Sequence, residues 1–205
     1  EVLKREMSRV RAFNPLTVKA GMGITMVGPT ILEYGSEAQK RKHIPPICRG
    51  EVFWALGYSE PNAGSDLASL QCKAEDKGDH WLINGQKTWT SAATTANMIF
   101  ALCRTDPESP KHKGISFILV PMEQAGVEVR PIYDMGGQSH VNEVFFEDAR
   151  APKENVLGEV NGGWAVANTL LGFERGVGAT TQYLAFEKEL ENFIELARRF
   201  ERLDD

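Results

Sequence analysis

Two short segments carry residue types able to hold a flat, polar-edged small molecule. The first is Tyr58-Ser59-Glu60-Pro61-Asn62-Ala63-Gly64-Ser65-Asp66, a polar loop directly after the apolar run Val52–Leu56. It offers backbone N–H groups and the hydroxyls of Ser59 and Ser65. The second is Asn84-Gly85-Gln86-Lys87-Thr88-Trp89-Thr90-Ser91, read as a hairpin turn at Asn84-Gly85 leading into a strand. On a strand Trp89 and Ser91 share a face, so an indole could pack on a ligand ring while a hydroxyl meets its edge. Taken alone, the same residues equally describe a tight turn and a tryptophan filling a β-core. Other chemistries find no motif. Gly21-Met22-Gly23 begins like a dinucleotide fingerprint, but Met26 stands where the third glycine belongs. Walker-type, HExxH and GxSxG sequences are absent, and His43, His80, His112 and His140 are spread one per segment, which argues against a metal site.

The elements that must position these segments fall into three blocks, expected as 1–51, 52–161 and 162–205. The first reads as helical. Val2, Leu3, Met7, Val10 and Phe13 approximate one helix face, with breaks at Asn14-Pro15 and Gly28-Pro29. A short helix then starts at a Ser36 cap and is closed by Pro45-Pro46. The second block alternates short apolar runs with turn residues: Val52–Leu56, His80–Ile83, Met98–Leu102, Ile115–Val120, Val127–Val129 and Val141–Phe146. That spacing predicts an antiparallel β-sandwich or barrel, in an α+β chain, rather than alternating βαβ units. The third block is a long helix with Tyr183, Phe186, Leu190, Phe193, Ile194, Ala197 and Phe200 along one stripe. Both outer blocks read as cut short. A net charge of −5 over 205 residues, with bases and acids interspersed, argues against nucleic acid or a membrane surface as partner. The uncharged stretch Ala20–Leu32 is too short, and too broken by Gly and Pro, for a membrane span. Three cysteines, Cys48, Cys72 and Cys103, without close spacing fit a reducing compartment rather than a disulfide framework.

The chain resembles the flavin-dependent acyl-CoA dehydrogenase family. The matching stretches are 28–51 (GPTILEYGSEAQKRKHIPPICRGE), 58–70 (YSEPNAGSDLASL), 84–91 (NGQKTWTS), 113–122 (KGISFILVPM), 136–164 and LLGFERG at 170–176. They follow family order through nearly the whole chain. The resemblance implies FAD as cofactor, an acyl-CoA thioester as substrate and an electron-transfer flavoprotein as acceptor. It places the flavin loop at Leu56 through Ser65, with Leu56, Tyr58, Ser59 and Gly64 beside the ring. Ser65 would touch both the flavin loop and the acyl-CoA. Trp89 and Thr90 would lie by the isoalloxazine, and Ser91 would bond near N5. In the branch resembling isovaleryl-CoA dehydrogenase the base precedes the arginine of LLGFERG, which is Glu174; elsewhere in the family it comes from a later segment. Arg175 matches a residue lining the acyl-CoA site.

The departures set the expectations that remain open. The family's chains are about twice as long, and the segments without a counterpart here include most of the C-terminal helical bundle, with contacts to the FAD pyrophosphate and adenine. The chain is therefore expected to complete its site in a homotetramer or a hetero-oligomer. The alternative is a non-catalytic fragment or half-subunit that needs a partner chain. A cytoplasmic, bacterial-type location is expected in preference to the mitochondrial matrix.

Overall fold

A computed structural model describes residues 6, 9, 10, 21–200 and 202, with only the backbone at 176–182. The helix face expected through Val2, Leu3, Met7 and Phe13, and the break at Asn14-Pro15, lie outside the described residues. From Gly23 to Val27 the chain makes a π-helical turn, closed by the Gly28 N–H donating to the Gly23 carbonyl, and runs directly into helix α1, Gly28–Tyr34. The expected break at Gly28-Pro29 is therefore absent. Pro29 lies inside this continuous helical run with no N–H to donate, and the wider π turn ahead of it accommodates the ring.

Helix α2, Glu37–Cys48, starts as expected at Ser36, whose hydroxyl accepts from the Gln39 N–H while the Gln39 side chain accepts from the Ser36 N–H. It does not stop at Pro45-Pro46 but continues through both to Cys48. The prolines sit in the last turn, and tertiary packing holds it: Ile47 is 2% exposed, in the core beside Trp54. The carbonyls of Pro45 and Pro46 still accept from Arg49 and Glu51.

The β region forms a single sheet of eight strands: β1 Trp54–Gly57, β2 Lys73–Asp76, β3 His80–Ser91, β4 Met98–Arg104, β5 Ile115–Pro121, β6 Val127–Ile132, β7 Val141–Pro152 and β8 Val156–Leu157. The order is β6-β7-β3-β2-β4-β5-β8, with β1 parallel to β4. The expected sandwich or barrel is thus one mostly antiparallel sheet folded over on itself. β4 and β5 are buried on both faces, which explains their unbroken apolar runs. Phe100, Leu102, Phe117 and Leu119 face the helices, whereas Ile99, Ala101, Ile118 and Val120 pack with Trp81, Ile83, Val144 and Phe146 of β3 and β7.

Asn84-Gly85 is not a hairpin turn. It lies inside β3 at a register shift against β7, and the turn joining β2 to β3 is Lys77-Gly78-Asp79. Gly85 has φ +145°, and a Cβ there would come within 2.7 Å of the Cys72 Cα, so the glycine serves close packing of two strands. Helix α3, Gly163–Arg199, begins against β5: a Cβ on Gly163 would stand 2.4 Å from the Phe117 nitrogen. Its first turns bury Val166, Ala167 and Leu170. Farther on, Tyr183, Phe186, Leu190, Phe193 and Phe200 are exposed.

Candidate functional site

The loop 58–72 leaves the sheet between two strands that share one neighbour. β1 pairs with the first half of β4 and β2 touches its last residue, so the loop emerges and returns along the same strand. At its start Glu60 and Ala63 exchange backbone hydrogen bonds of 3.0 Å, which turns Pro61 and Asn62 outward. Beyond the turn, Gly64 and Ser65 are exposed, and a Cβ at Gly64 would meet nothing within 4 Å. Asp66 follows, tied by Ser69 Oγ at 2.6 Å and Lys111 Nζ at 2.7 Å, which hold its carboxyl below the usual carboxylate range, Lys111 most strongly.

The second segment is hydrogen-bonded to the first. The Thr88 N–H donates to the Ser59 carbonyl at 2.8 Å, and Lys87 Nζ donates to the Tyr58 carbonyl at 3.2 Å. Between Lys87 and Thr90 the register against β7 slips again: Lys87 pairs with Val144 but Thr90 with Asn142. Trp89 is the residue in this bulge. Its φ is +58°, an uncommon conformation for an aromatic residue, and its side chain is 64% exposed. Strand alternation alone does not explain that exposure; the left-handed backbone accompanies it. Thr90 is fully buried, with its carbonyl accepting from Asn142 Nδ2 at 2.9 Å and its own hydroxyl unpartnered. Ser91 is half-buried and pairs with Val141.

The remaining expected residues divide. Leu56 is half-buried against the helix-side core. The Tyr58 ring is buried among Phe100 and Phe117, edge-on to both, and its hydroxyl donates to the Ala167 carbonyl at 3.4 Å. Its ring is therefore taken by the core and its carbonyl by Lys87, which leaves the loop after it to serve a ligand. Burial, and then the negative charge of Glu174, push the Tyr58 phenol well up. Glu174 and Arg175 are exposed on α3. Among the described residues, the hydroxyls of Ser59, Ser65 and Ser91 make no hydrogen bond within the protein.

Two residues of the motifs escaped functional reading. Lys87 is fully buried and bonded to Glu60 at 2.7 Å, and Glu60 is 6% exposed. The signal was available: Trp81, Ile83 and Lys87 hold the same parity along β3, so a charge falls where the strand places apolar residues.

With this geometry established, the chain compares closely with known proteins. Residues 2–51 match the acyl-CoA dehydrogenase N-terminal domain, and residues 55–149 match the acyl-CoA dehydrogenase middle domain. It is 46% identical over 183 residues to the acyl-CoA dehydrogenase IpdE1 of Mycobacterium tuberculosis, covering 89% of this chain and 48% of that protein. Its fold superposes on the solved structure of the Tcur3481-Tcur3483 steroid ACAD with TM-score 0.83 at 41% identity, covering 91% of this chain and 48% of the other. It also resembles the ChsE4-ChsE5 complex of Mycobacterium tuberculosis, with TM-score 0.71, 36% identity, and 84% and 43% of the two chains covered. The chain spans about half the length of these relatives. On the sequence, the fold and the two domain matches, the chain belongs to the acyl-CoA dehydrogenase family.

Proposed function

We propose that this chain carries the flavin and thioester half of an FAD-dependent acyl-CoA dehydrogenase. The observation that carries this reading is the Trp89 indole, exposed on a left-handed bulge and tied through Thr88 to a loop of unengaged serine hydroxyls. A large apolar ring held out at a cost of about 1–3 kcal/mol of backbone strain fits a site that receives a flat partner. The nearby donors fit the polar edge of an isoalloxazine.

In this reading Trp89 lies against the ring system, Thr90 supports the bulge, and Ser91 donates near N5. Leu56, the Tyr58 main chain, Ser59 and Gly64 form the loop side, and Ser65 reaches toward both flavin and thioester. Donors placed where negative charge develops stabilise the transition state without reorganisation. FAD supplies the two-electron acceptor for the hydride that leaves the β-carbon. Glu174 removes the α-proton, and Arg175 lines the acyl-CoA site. A carboxylate enclosed between ring and thioester would be shielded from water, which raises its basicity toward what this step needs.

The acceptor of the electrons is an electron-transfer flavoprotein in this proposal. The site is completed in a homotetramer or a hetero-oligomer, a reading supported by the similarity to the ChsE4-ChsE5 complex. The three-part division at 51 and 161 and a cytoplasmic location belong to the same proposal, the latter supported by mycobacterial relatives. An ultraviolet–visible spectrum tests it. The purified protein, given FAD and desalted, should keep the oxidised flavin band and lose it anaerobically with an acyl-CoA thioester. Glu174→Gln should keep the band but slow its bleaching at least a hundredfold. A protein that retains no flavin favours the non-catalytic alternative, a half that requires its partner.

A further inference from the structure

Lys87 and Glu60 form a buried ion pair whose other bonds all go to main-chain atoms. The Lys87 ammonium donates to Glu60 Oε1 at 2.7 Å, to the Leu102 carbonyl at 2.7 Å and to the Tyr58 carbonyl at 3.2 Å, which uses its three donors. Glu60 Oε1 also accepts from the Cys72 N–H at 2.9 Å, and its Oε2 accepts from the Gln71 N–H at 2.6 Å. The pair therefore joins the first residues of the loop 58–72 to its last two, and both to β4. Lys87 stands two residues before Trp89, and Glu60 one residue after Ser59.

Stability alone does not account for such a pair. Desolvating two charges roughly cancels their attraction, and a well-packed apolar pair of the same volume often holds a fold as well or better. An apolar pair cannot bind four backbone groups at the neck of a loop. From this we infer that Lys87 and Glu60 are positioning residues, which close the base of the loop 58–72 and hold it in register with the strand that presents Trp89. The inference rests on the flavin reading for its consequence in binding, but its geometry is separable from that reading.

Two variants test it in the full chain. Lys87→Met keeps the stem and removes the donors; Glu60→Gln keeps the volume and replaces one acceptor by a donor. Amide hydrogen exchange is measured on flavin-free protein, and FAD affinity is measured by fluorescence titration. Exchange at Gln71, Cys72 and Thr88 should rise at least tenfold in both variants, while Ile115–Val120 in β5 keeps its wild-type protection. FAD affinity should fall at least tenfold alongside. Unchanged exchange at those three amides would overturn the inference. So would a rise of equal size in β5, which marks a merely structural pair, or local loosening with FAD affinity within twofold of wild type. Should the wild-type protein bind no FAD, the proposed function fails, and the exchange results alone decide whether the pair closes the loop.

Discussion

Trp89 concentrates the conflict between local preference and use. An aromatic residue at φ +58° is strained, and its side chain finds little burial in return. Glycine tolerates the same backbone without a Cβ clash. Trp89→Gly should therefore leave the thermal midpoint of the flavin-free protein unchanged or raise stability by about 1 kcal/mol. The same change should weaken FAD retention at least tenfold. Calorimetry and flavin titration on one preparation check both; a clear loss of apo stability would show that the indole serves the fold. Lys87 and Glu60 show the reverse case, charges buried away from water and bonded to each other and to the main chain.

Helix α2 carries a pH dependence of its own. His43 is buried edge-on to Trp54, with ring centroids 5.6 Å apart. Burial, with a smaller contribution from the Lys42 charge, lowers its pKa from 6.5 to about 4. The unfolded chain thus takes up a proton on this residue below about pH 6.5, whereas the folded chain does so only near pH 4. The stability that follows from a neutral His43 is complete above pH 6.5, is lost as pH falls, and levels off below pH 4. His43→Phe should flatten that part of the curve, read as the difference in urea midpoint between variant and wild type from pH 7 to pH 4.5. In α1 and α2 alike, packing rather than residue preference decides where the helix runs. Ile47 anchors the turn that contains Pro45 and Pro46, and the π turn leads Pro29 into a continuous helix.

At the scale of the molecule, the described structure divides into a sheet whose central strands β4 and β5 are buried on both faces and a helix buried only at its start. α3 packs on β5 through Val166, Ala167 and Leu170, then continues as a helix whose Tyr183, Phe186, Leu190 and Phe193, with Phe200 just past its end, are 58–68% exposed. A contiguous apolar stripe of this kind marks a packing surface. Replacing both Phe186 and Phe193 by Glu should shift the sedimentation coefficient toward a smaller species while leaving the unfolding midpoint of the sheet within a few degrees. Sedimentation unchanged by the double substitution would remove this face from the proposed assembly. No helix among the described residues is long and apolar enough to cross a membrane.

The sequence by itself determined the order helix, β region, helix, six of the eight strands in outline, the Ser36 cap and the family, because hydrophobic period, capping chemistry and motif order are local properties of the chain. It also marked both segments of the candidate site. The tertiary structure decided what period cannot carry. Asn84-Gly85 is a hairpin signal in isolation, yet the neighbouring Cys72 and the pairing with β7 make it a bulge inside one strand. Tyr58 belongs to a polar motif, but its ring is taken by Phe100 and Phe117, residues some forty and sixty positions away that only the folded sheet brings to it. Strand parity marks Lys87 as buried, but its partner Glu60, 27 positions away, is brought to it only by the folded loop. Each depends on partners distant in sequence, and such partners are chosen by how the sheet folds over on itself rather than by any local pattern.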